Sequence, residues 1–181
     1  MDLTLTDEER EIREWVRTFV SKELMPLEPQ VLERERDGER GIGLDEVKDL
    51  QDKARRSGFF GVQTPEEYGG MGLGAVMHAL IETELGRTFV PFKFGGDADN
   101  ILFEANEQQQ ETYLRPTIEG TRRSCFAITE PGAGSDARNI RTTAVRDGDE
   151  WVINGEKTFI TGGDVADFTI CLLYTSDAAD E

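Results

Sequence analysis

The chain has 181 residues, of which 37% are hydrophobic and 31% charged, so it can form one sizeable domain or two small ones. Its net charge of −17 argues against nucleic acid as a partner, because the phosphates would be repelled. It has no apolar run of membrane-spanning length and no signal peptide pattern, which predicts a cytoplasmic protein without a membrane span. Two cysteines and one histidine offer no metal-ligand spacing, so no metal site is predicted.

The first predicted element is a helix that begins at a capping box, in which Thr6 and Glu9 each satisfy a backbone amide of the other. Pro26 is expected to end this helix, and the charged, glycine-punctuated residues 28–43 are expected to form a loop, with a short helix within it as the alternative. The apolar residues of the helix recur at helical spacing and predict a packed stripe: Ile12, Trp15, Val16, Phe19 and Val20.

Further helices are predicted at about residues 44–56, 75–85, 98–105 and 108–119. The helix over 75–85 is apolar on more than one side, so we expect it to be well buried. His78 within it has no Cys, His or carboxylate at metal spacing and is interpreted as a structural residue. Residues 61–72 are rich in glycine and proline and predict an irregular tight turn.

After Gly120 the sequence changes to short runs rich in β-branched and aromatic residues. Asp147-Gly148 and Asn154-Gly155 fall between the later runs, and both dipeptides are strong hairpin signals. The chain is therefore predicted to be α+β, with an all-helical domain over 1–120 followed by an antiparallel β domain over 121–170. The predicted strands are Ser124–Thr129, Arg141–Arg146, Glu150–Ile153 and Lys157–Thr161, and a further one leads to Ile170.

One loop motif follows the first predicted strand. Pro131 fixes one φ, and Gly132 and Gly134 allow close approach of the backbone. Ser135 and Asp136 then add a hydroxyl and a carboxylate. Bare amides beside small residues suit a phosphate or a flat polar ring, but a plain surface turn has the same composition and is the commoner explanation of such spacing.

The complete strings are more specific than their spacing. Thr-Glu-Pro-Gly-Ala-Gly-Ser-Asp at 129–136, followed by Asn-Gly-Glu-Lys-Thr-Phe-Ile-Thr-Gly-Gly at 154–163, resembles the acyl-CoA dehydrogenase family. The Pro-Glu-x-x-Gly-Gly loop at 65–70 resembles the same family. That resemblance implies an FAD-dependent enzyme that introduces an α,β double bond into an acyl-CoA thioester. It also implies that 121–170 is the truncated beginning of a β-barrel-like domain, and that a C-terminal helical domain is absent.

The resemblance further implies a flavin site. Phe126 and Phe159 would pack on the isoalloxazine ring, and Phe159 stands where many members carry Trp. Thr129 and Thr161 would offer hydroxyls to the polar edge of the ring, with Thr161 near N5. Ser135 would contact both the FAD pyrophosphate and the acyl-CoA substrate. The implied cofactor-binding residues are Phe126, Ala127, Ile128, Thr129, Gly134, Ser135, Phe159, Ile160 and Thr161. Without the motifs, ordinary β-domain core would be the preferred interpretation of the two phenylalanines.

Glu130 and Asp136 are rejected as an acid–base pair, because the base of the family lies in its C-terminal region, which no residue of this chain matches. We therefore expect no catalytic base in this chain and no dehydrogenation by it alone. The resemblance implies an electron-transfer flavoprotein as partner and a homo-oligomer for the full-length protein. The alternatives are an acyl-CoA oxidase or flavin monooxygenase of the same fold, or a non-enzymatic acidic helical module that binds a protein.

The last residues differ in character from the rest of the chain. Residues 171–181 read Cys-Leu-Leu-Tyr-Thr-Ser-Asp-Ala-Ala-Asp-Glu. This string resembles the conceptual translation of a transposase-type sequencing adapter, and it resembles no continuation of the family. We expect that residues 171–181 are not native and that a longer reading frame was cut near Ile170. A natural frameshift or a divergent strand is the other interpretation.

Overall fold

The structure is a computed structural model, and it describes residues 4–175. The chain divides into two compact units, Met1–Asp97 and Ala98–Glu181. The domain border expected after residue 120 stays a prediction. Of the predicted adapter-derived tail, residues 176–181 lie outside the described residues.

The first unit begins with α1 (Asp7–Phe19), and its capping box is formed as predicted. Thr6 Oγ1 accepts a hydrogen bond from the amide of Glu9 at 3.2 Å, and Glu9 Oε2 accepts one from the amide of Thr6 at 2.7 Å. These two bonds satisfy donors that the first turn of a helix leaves free.

The prediction that Pro26 ends the helical backbone was wrong, and the alternative of a short helix within 28–43 is the one that the structure shows. Helical backbone continues through a π-helical turn (Val20–Leu24), a 3-10 turn (Met25–Leu27) and α2 (Glu28–Arg36). Proline is tolerated in the first turn of a helix, where its missing amide is needed by no carbonyl. Pro26 and Pro29 both occupy such positions, so each starts a helical segment.

The next two helices match the prediction: α3 covers Leu44–Arg56 and α4 covers Ala75–Leu85. Between them lies an irregular segment with a single 3-10 turn, Glu66–Tyr68. The expected burial of α4 holds for one face only, since Ile81 is fully buried but Val76 is 63% exposed.

The core of the first unit is apolar and rich in aromatic rings. Trp15 of α1 stacks on Phe59 with ring centroids 3.7 Å apart, and Phe19, Phe92 and Phe94 pack around the pair. Large rings bury much apolar area each, so this cluster is a main contributor to the stability of the unit.

The second unit starts with short helical segments. A 3-10 turn (Asn100–Glu104) is followed by α5 (Glu107–Gln109), a π-helical turn (Gln110–Leu114) and α6 (Arg115–Glu119). Gly120 ends α6 with a left-handed φ of 77°, the conformation that glycine adopts at low cost.

The strands of the second unit form two small sheets. One sheet pairs β1 (Ser124–Ala127) with β4 (Phe168–Cys171) in parallel. The other has the order β3-β2-β5, from β2 (Thr143–Asp147), β3 (Glu150–Asn154) and β5 (Tyr174–Thr175). The predicted succession of a helical region and small sheets is confirmed.

Of the strand pairs within residues 4–175, β2–β3 alone has the expected antiparallel direction. The β2–β3 hairpin is antiparallel, and its register brings Asp147 opposite Glu150 across a turn in which Gly148 has φ +63°. The β1–β4 and β2–β5 pairs are parallel. The strand predicted at 157–161 is not formed, so Asn154-Gly155 is not a second hairpin turn. Instead, the amide of Thr158 donates a hydrogen bond to the carbonyl oxygen of Thr129.

Candidate functional site

The two motif segments lie side by side in the second unit. The amide of Thr158 donates a hydrogen bond to the carbonyl oxygen of Thr129 at 2.9 Å. The ammonium group of Lys157 donates to the carbonyl oxygen of Ile128, also at 2.9 Å. Of these two bonds only the one from the Thr158 amide uses a backbone donor, and within the described residues 157–161 forms no regular strand.

Glu130 organises the loop that follows β1. Its amide and carbonyl pair with those of Ala133, at 2.9 and 3.1 Å, so the chain turns tightly at Pro131-Gly132. Its side chain is buried and accepts from the amide of Arg141 at 2.6 Å. One carboxylate oxygen also accepts from the amide of Thr142 at 2.9 Å, from the Thr142 hydroxyl at 2.6 Å and from Lys157 Nζ at 2.9 Å.

This environment fixes the charge state of Glu130. The hydrogen bonds from Lys157, from the Thr142 hydroxyl and from the two backbone amides lower the pKa of Glu130 to about 2, although burial acts in the opposite direction. A carboxylate that is ionised at every ordinary pH and already accepts four hydrogen bonds is a poor general base. The rejection of Glu130 as half of an acid–base pair agrees with this geometry, and Asp136 is exposed on the loop.

The two phenylalanines of the motifs are not core residues. Phe126 is 43% exposed, although its neighbours Cys125 and Ala127 in β1 are buried, as the alternation of a strand requires. Phe159 is 94% exposed, and its backbone has φ +57°. A bulky residue in the left-handed region is a genuine outlier, of the kind that accumulates at functional sites.

The remaining predicted site residues occupy the ends of the two segments. Ile128, Thr129 and Ile160 are half-buried, whereas Ser135 and Thr161 are exposed. A Cβ added at Gly134 would find no described atom within 4 Å, so space is open beside this backbone. The hydrogen bonds join the segment ending in Thr129 to the residues that immediately precede Phe159.

Three residues of this arrangement were not predicted as site residues: Lys157, Thr158 and Thr142. Thr158 Oγ1 is buried and has no hydrogen-bond partner within residues 4–175, so this hydroxyl is available to a further group. Lys157 and Thr158 belong to the recognised string, but their partners lie far away in sequence, and no local pattern reveals such bonds. No motif in the sequence indicated that Thr142 would bond to Glu130.

Comparison with protein families identifies the chain. Residues 6–121 match the family profile described as "Acyl-CoA dehydrogenase, N-terminal domain", and residues 125–181 match "Acyl-CoA dehydrogenase, middle domain". The chain belongs to the acyl-CoA dehydrogenase family. The resemblance inferred from the motifs is therefore confirmed.

Individual relatives agree with this identification. The (R)-benzylsuccinyl-CoA dehydrogenase of Thauera aromatica is 35% identical over 99% of this chain and 47% of the relative. The CarC subunit of the caffeyl-CoA reductase–Etf complex of Acetobacterium woodii is 34% identical over 94% of this chain and 44% of the relative. The solved ChsE4–ChsE5 complex of Mycobacterium tuberculosis matches 100% of this chain and 45% of its own, with a TM-score of 0.75 and 27% identity. This acyl-CoA dehydrogenase family chain thus spans less than half the length of these relatives.

None of the helices in the described part of the chain is long and apolar enough to cross a membrane.

Proposed function

We propose that this chain is the N-terminal and middle-domain part of an FAD-dependent acyl-CoA dehydrogenase, which introduces an α,β double bond into an acyl-CoA thioester. Family membership supports the reaction class, and the two relatives described above carry dehydrogenase or reductase names with CoA substrates. The observation that carries the proposal is the joining of the two motif segments, by the Thr158–Thr129 bond, beside an outward-facing aromatic ring at Phe159.

The residues present fit a flat, polar-edged cofactor. Two aromatic side chains face outward, and among residues 4–175 the buried Thr158 hydroxyl has no hydrogen-bond partner and no atom lies close to the Gly134 backbone. Phe126 and Phe159 would pack on the FAD ring, Thr129 and Thr161 would bond its polar edge, and Ser135 would hold the pyrophosphate and the acyl-CoA. FAD, when bound, would supply the hydride acceptor that the reaction needs. The residues of this chain bind and orient, and we propose that the base lies outside these 181 residues.

The relatives support a proposal about the protein partners of the complete protein. The CarC relative is named as part of an Etf complex, and the ChsE4–ChsE5 match is a complex of two chains. We infer that the complete protein passes electrons to an electron-transfer flavoprotein and that it assembles into an oligomer; a homo-oligomer is what the family resemblance implies, since ChsE4–ChsE5 joins two different chains. A cytoplasmic location is part of the same proposal.

Two rival functions make different predictions. An acyl-CoA oxidase or flavin monooxygenase would carry the same motifs but would react with oxygen. A helical protein-binding module would use the first unit and would need no flavin. The exposed, left-handed Phe159 in the second unit favours a flavin site over that module.

The test starts from the reading frame. Sequencing the source DNA across codons 160–181 by a method without a transposase adapter would recover the frame for expression of the complete protein. We expect a yellow protein whose flavin absorbance is bleached anaerobically by an acyl-CoA, with little oxygen consumption. Rapid oxygen consumption would favour the oxidase, and a folded protein that binds no FAD would overturn the proposal.

In that protein, Thr161→Val should leave folding intact and slow reduction of the flavin by about 10- to 100-fold. The reason is that a hydroxyl donor near the atom that gains charge stabilises the transition state more than the ground state. Stopped-flow absorbance of the oxidised flavin band measures the rate, and Thr83→Val, on the exposed side of α4, is the matched control. An unchanged reduction rate in Thr161→Val would remove Thr161 from the site.

A further inference from the structure

The Lys157 side chain links the two motif segments from within the second unit. It is 11% exposed, and its Nζ lies 2.9 Å from both the Ile128 carbonyl oxygen and a carboxylate oxygen of Glu130. An ammonium group at this degree of burial is stable only when it is paired and hydrogen-bonded. Both acceptors belong to the segment that leaves β1, whereas Lys157 itself leads into Phe159.

The backbone beside Lys157 adds a second connection to the same segment. The Thr158 amide donates to the Thr129 carbonyl oxygen. The two residues immediately before Phe159 are therefore each bonded to the end of β1. Such double attachment is what keeps a disfavoured backbone conformation in place, since an exposed phenylalanine with φ +57° gains nothing from its own burial.

We propose that Lys157 is a positioning residue: by bridging Ile128 and Glu130 it holds Phe159 to Thr161 in the conformation that receives the cofactor ring. The identity of that ring rests on the proposed function, whereas the clamp itself does not. Lys157 acts through the backbone of Thr158.

The first test needs no flavin and uses the 181-residue chain. Lys157→Met keeps the aliphatic stem and removes the ammonium group, and Lys93→Met is the matched control because Lys93 is exposed in the first unit. Hydrogen exchange followed by mass spectrometry should show about 10-fold faster exchange in peptides covering 157–161 of the Lys157 variant. Exchange in the β2–β3 hairpin should be unchanged. Equal protection at 157–161 in both variants and the wild type would overturn the clamp.

The second test uses the complete flavoprotein. When a smaller fraction of molecules holds the binding conformation, the apparent Kd rises in the same proportion. We expect Lys157→Met to weaken FAD binding by about 10-fold or more, measured by quenching of flavin fluorescence, and Lys93→Met to bind as the wild type does. Lys157→Arg should recover most of the affinity, because it restores a cation with several donors. A residue that only filled space would be replaced better by Met than by Arg.

The two proposals fail in different ways. A wild-type protein that binds no FAD refutes the proposed function, and the exchange experiment still decides the clamp. A wild type that binds FAD, with Lys157→Met binding equally well, refutes the clamp alone. If Lys157→Met does not fold, Lys157→Gln takes its place, since its shorter, neutral side chain keeps a polar group but cannot hold both Ile128 and Glu130. It should show faster exchange at 157–161 than the wild type, and unchanged exchange there would overturn the proposal.

Discussion

Phe159 combines an exposed fraction of 94% with a left-handed backbone. Each feature has a cost, since the ring is left in water and its Cβ crowds the backbone. Neither is compensated by packing of its own side chain. The cost must therefore be met by the bonds of Lys157 and Thr158 to the end of β1. This is the arrangement expected of a residue whose partner is a group outside the described residues.

Phe159→Gly should separate the stability of the chain from its binding. Glycine adopts φ +57° without strain, and removing that strain stabilises the folded state by about 1–3 kcal/mol. Glycine also raises the conformational entropy of the unfolded chain, which reduces the gain by about 0.4–1 kcal/mol. We expect a net gain of about 1 kcal/mol in the free energy of unfolding of the second unit, measured by urea denaturation, together with weaker FAD binding in the complete protein. Phe126→Gly, in a strand with ordinary φ, is the control and should lose stability. A loss in Phe159→Gly as well would show that its ring packs usefully without ligand.

At this scale the motifs predict candidate site residues but not the hydrogen bonds that connect the two segments. Phe126, Thr129 and Phe159 could be named because their motif strings are specific. The bonds from Lys157 to Glu130 and from Thr142 to Glu130 join residues distant in sequence, so only the fold reveals them. The left-handed φ of Phe159 could not be predicted from the sequence, because glycine is the residue that usually indicates such a backbone conformation.

At the scale of elements, α1 and α4 are joined by a buried carboxylate. Glu84 of α4 is 1% exposed and accepts from Arg13 Nε at 2.8 Å and from Arg17 Nη2 at 2.9 Å, both on α1. Arg87 lies 3.3 Å from its other oxygen. The hydrogen bonds from Arg17 and then Arg13 lower the pKa of Glu84 to about 2, against the effect of burial.

Glu84→Gln should destabilise the first unit by about 1–3 kcal/mol, because a neutral amide cannot match two or three guanidinium groups at a buried position. The folded-state pKa lies below the ordinary value of 4.5, so the carboxylate contributes its full stabilisation above about pH 4.5 and loses it as the pH falls toward 2. The difference in urea midpoint between wild type and Glu84→Gln should therefore be large at about pH 7 and smaller at about pH 3.5.

Glu82→Gln, exposed on the same helix, is the matched control for this measurement and should change the midpoint little. A difference between wild type and Glu84→Gln that stays constant from neutral to acid pH would mean that the contribution of Glu84 is packing and not charge.

The helices show which local signals decide an element. α1 and α3 could be predicted because their capping bonds and apolar periodicity agree with the packing, whereas α4 could be predicted from its run of apolar, helix-favouring residues ending at Gly86. The helix end predicted at Pro26 was wrong because a proline can either end one helical segment or start the next. Which of the two occurs depends on tertiary packing and not on the local sequence. The strand predicted at 157–161 was wrong because β-forming residues alone do not determine a strand. Here the Lys157 ammonium group and the Thr158 amide bond to the carbonyl oxygens of Ile128 and Thr129, which follow β1.

At the scale of the whole molecule the dominant feature is charge. The chain carries 37 acidic and 20 basic residues, and its net charge is −17. Partly exposed ion pairs such as Lys53–Glu23 and Arg34–Glu46 add little stability, since surface pairs contribute at most about 1 kcal/mol each. The remaining acidic groups repel one another in the compact state.

Salt should therefore stabilise the chain. Raising NaCl from about 10 mM to about 150 mM shortens the screening length from about 30 Å to about 8 Å, which weakens long-range repulsion more than the short buried pairs at Glu84 and Glu130. We expect the Tm measured by circular dichroism to rise by several degrees over this range. A variant with Asp52, Glu67 and Glu82 each changed to Lys has a less negative net charge and should show a smaller rise. A Tm that falls with salt would mean that attractive ion pairs, and not the net charge, dominate the electrostatic free energy of the folded chain.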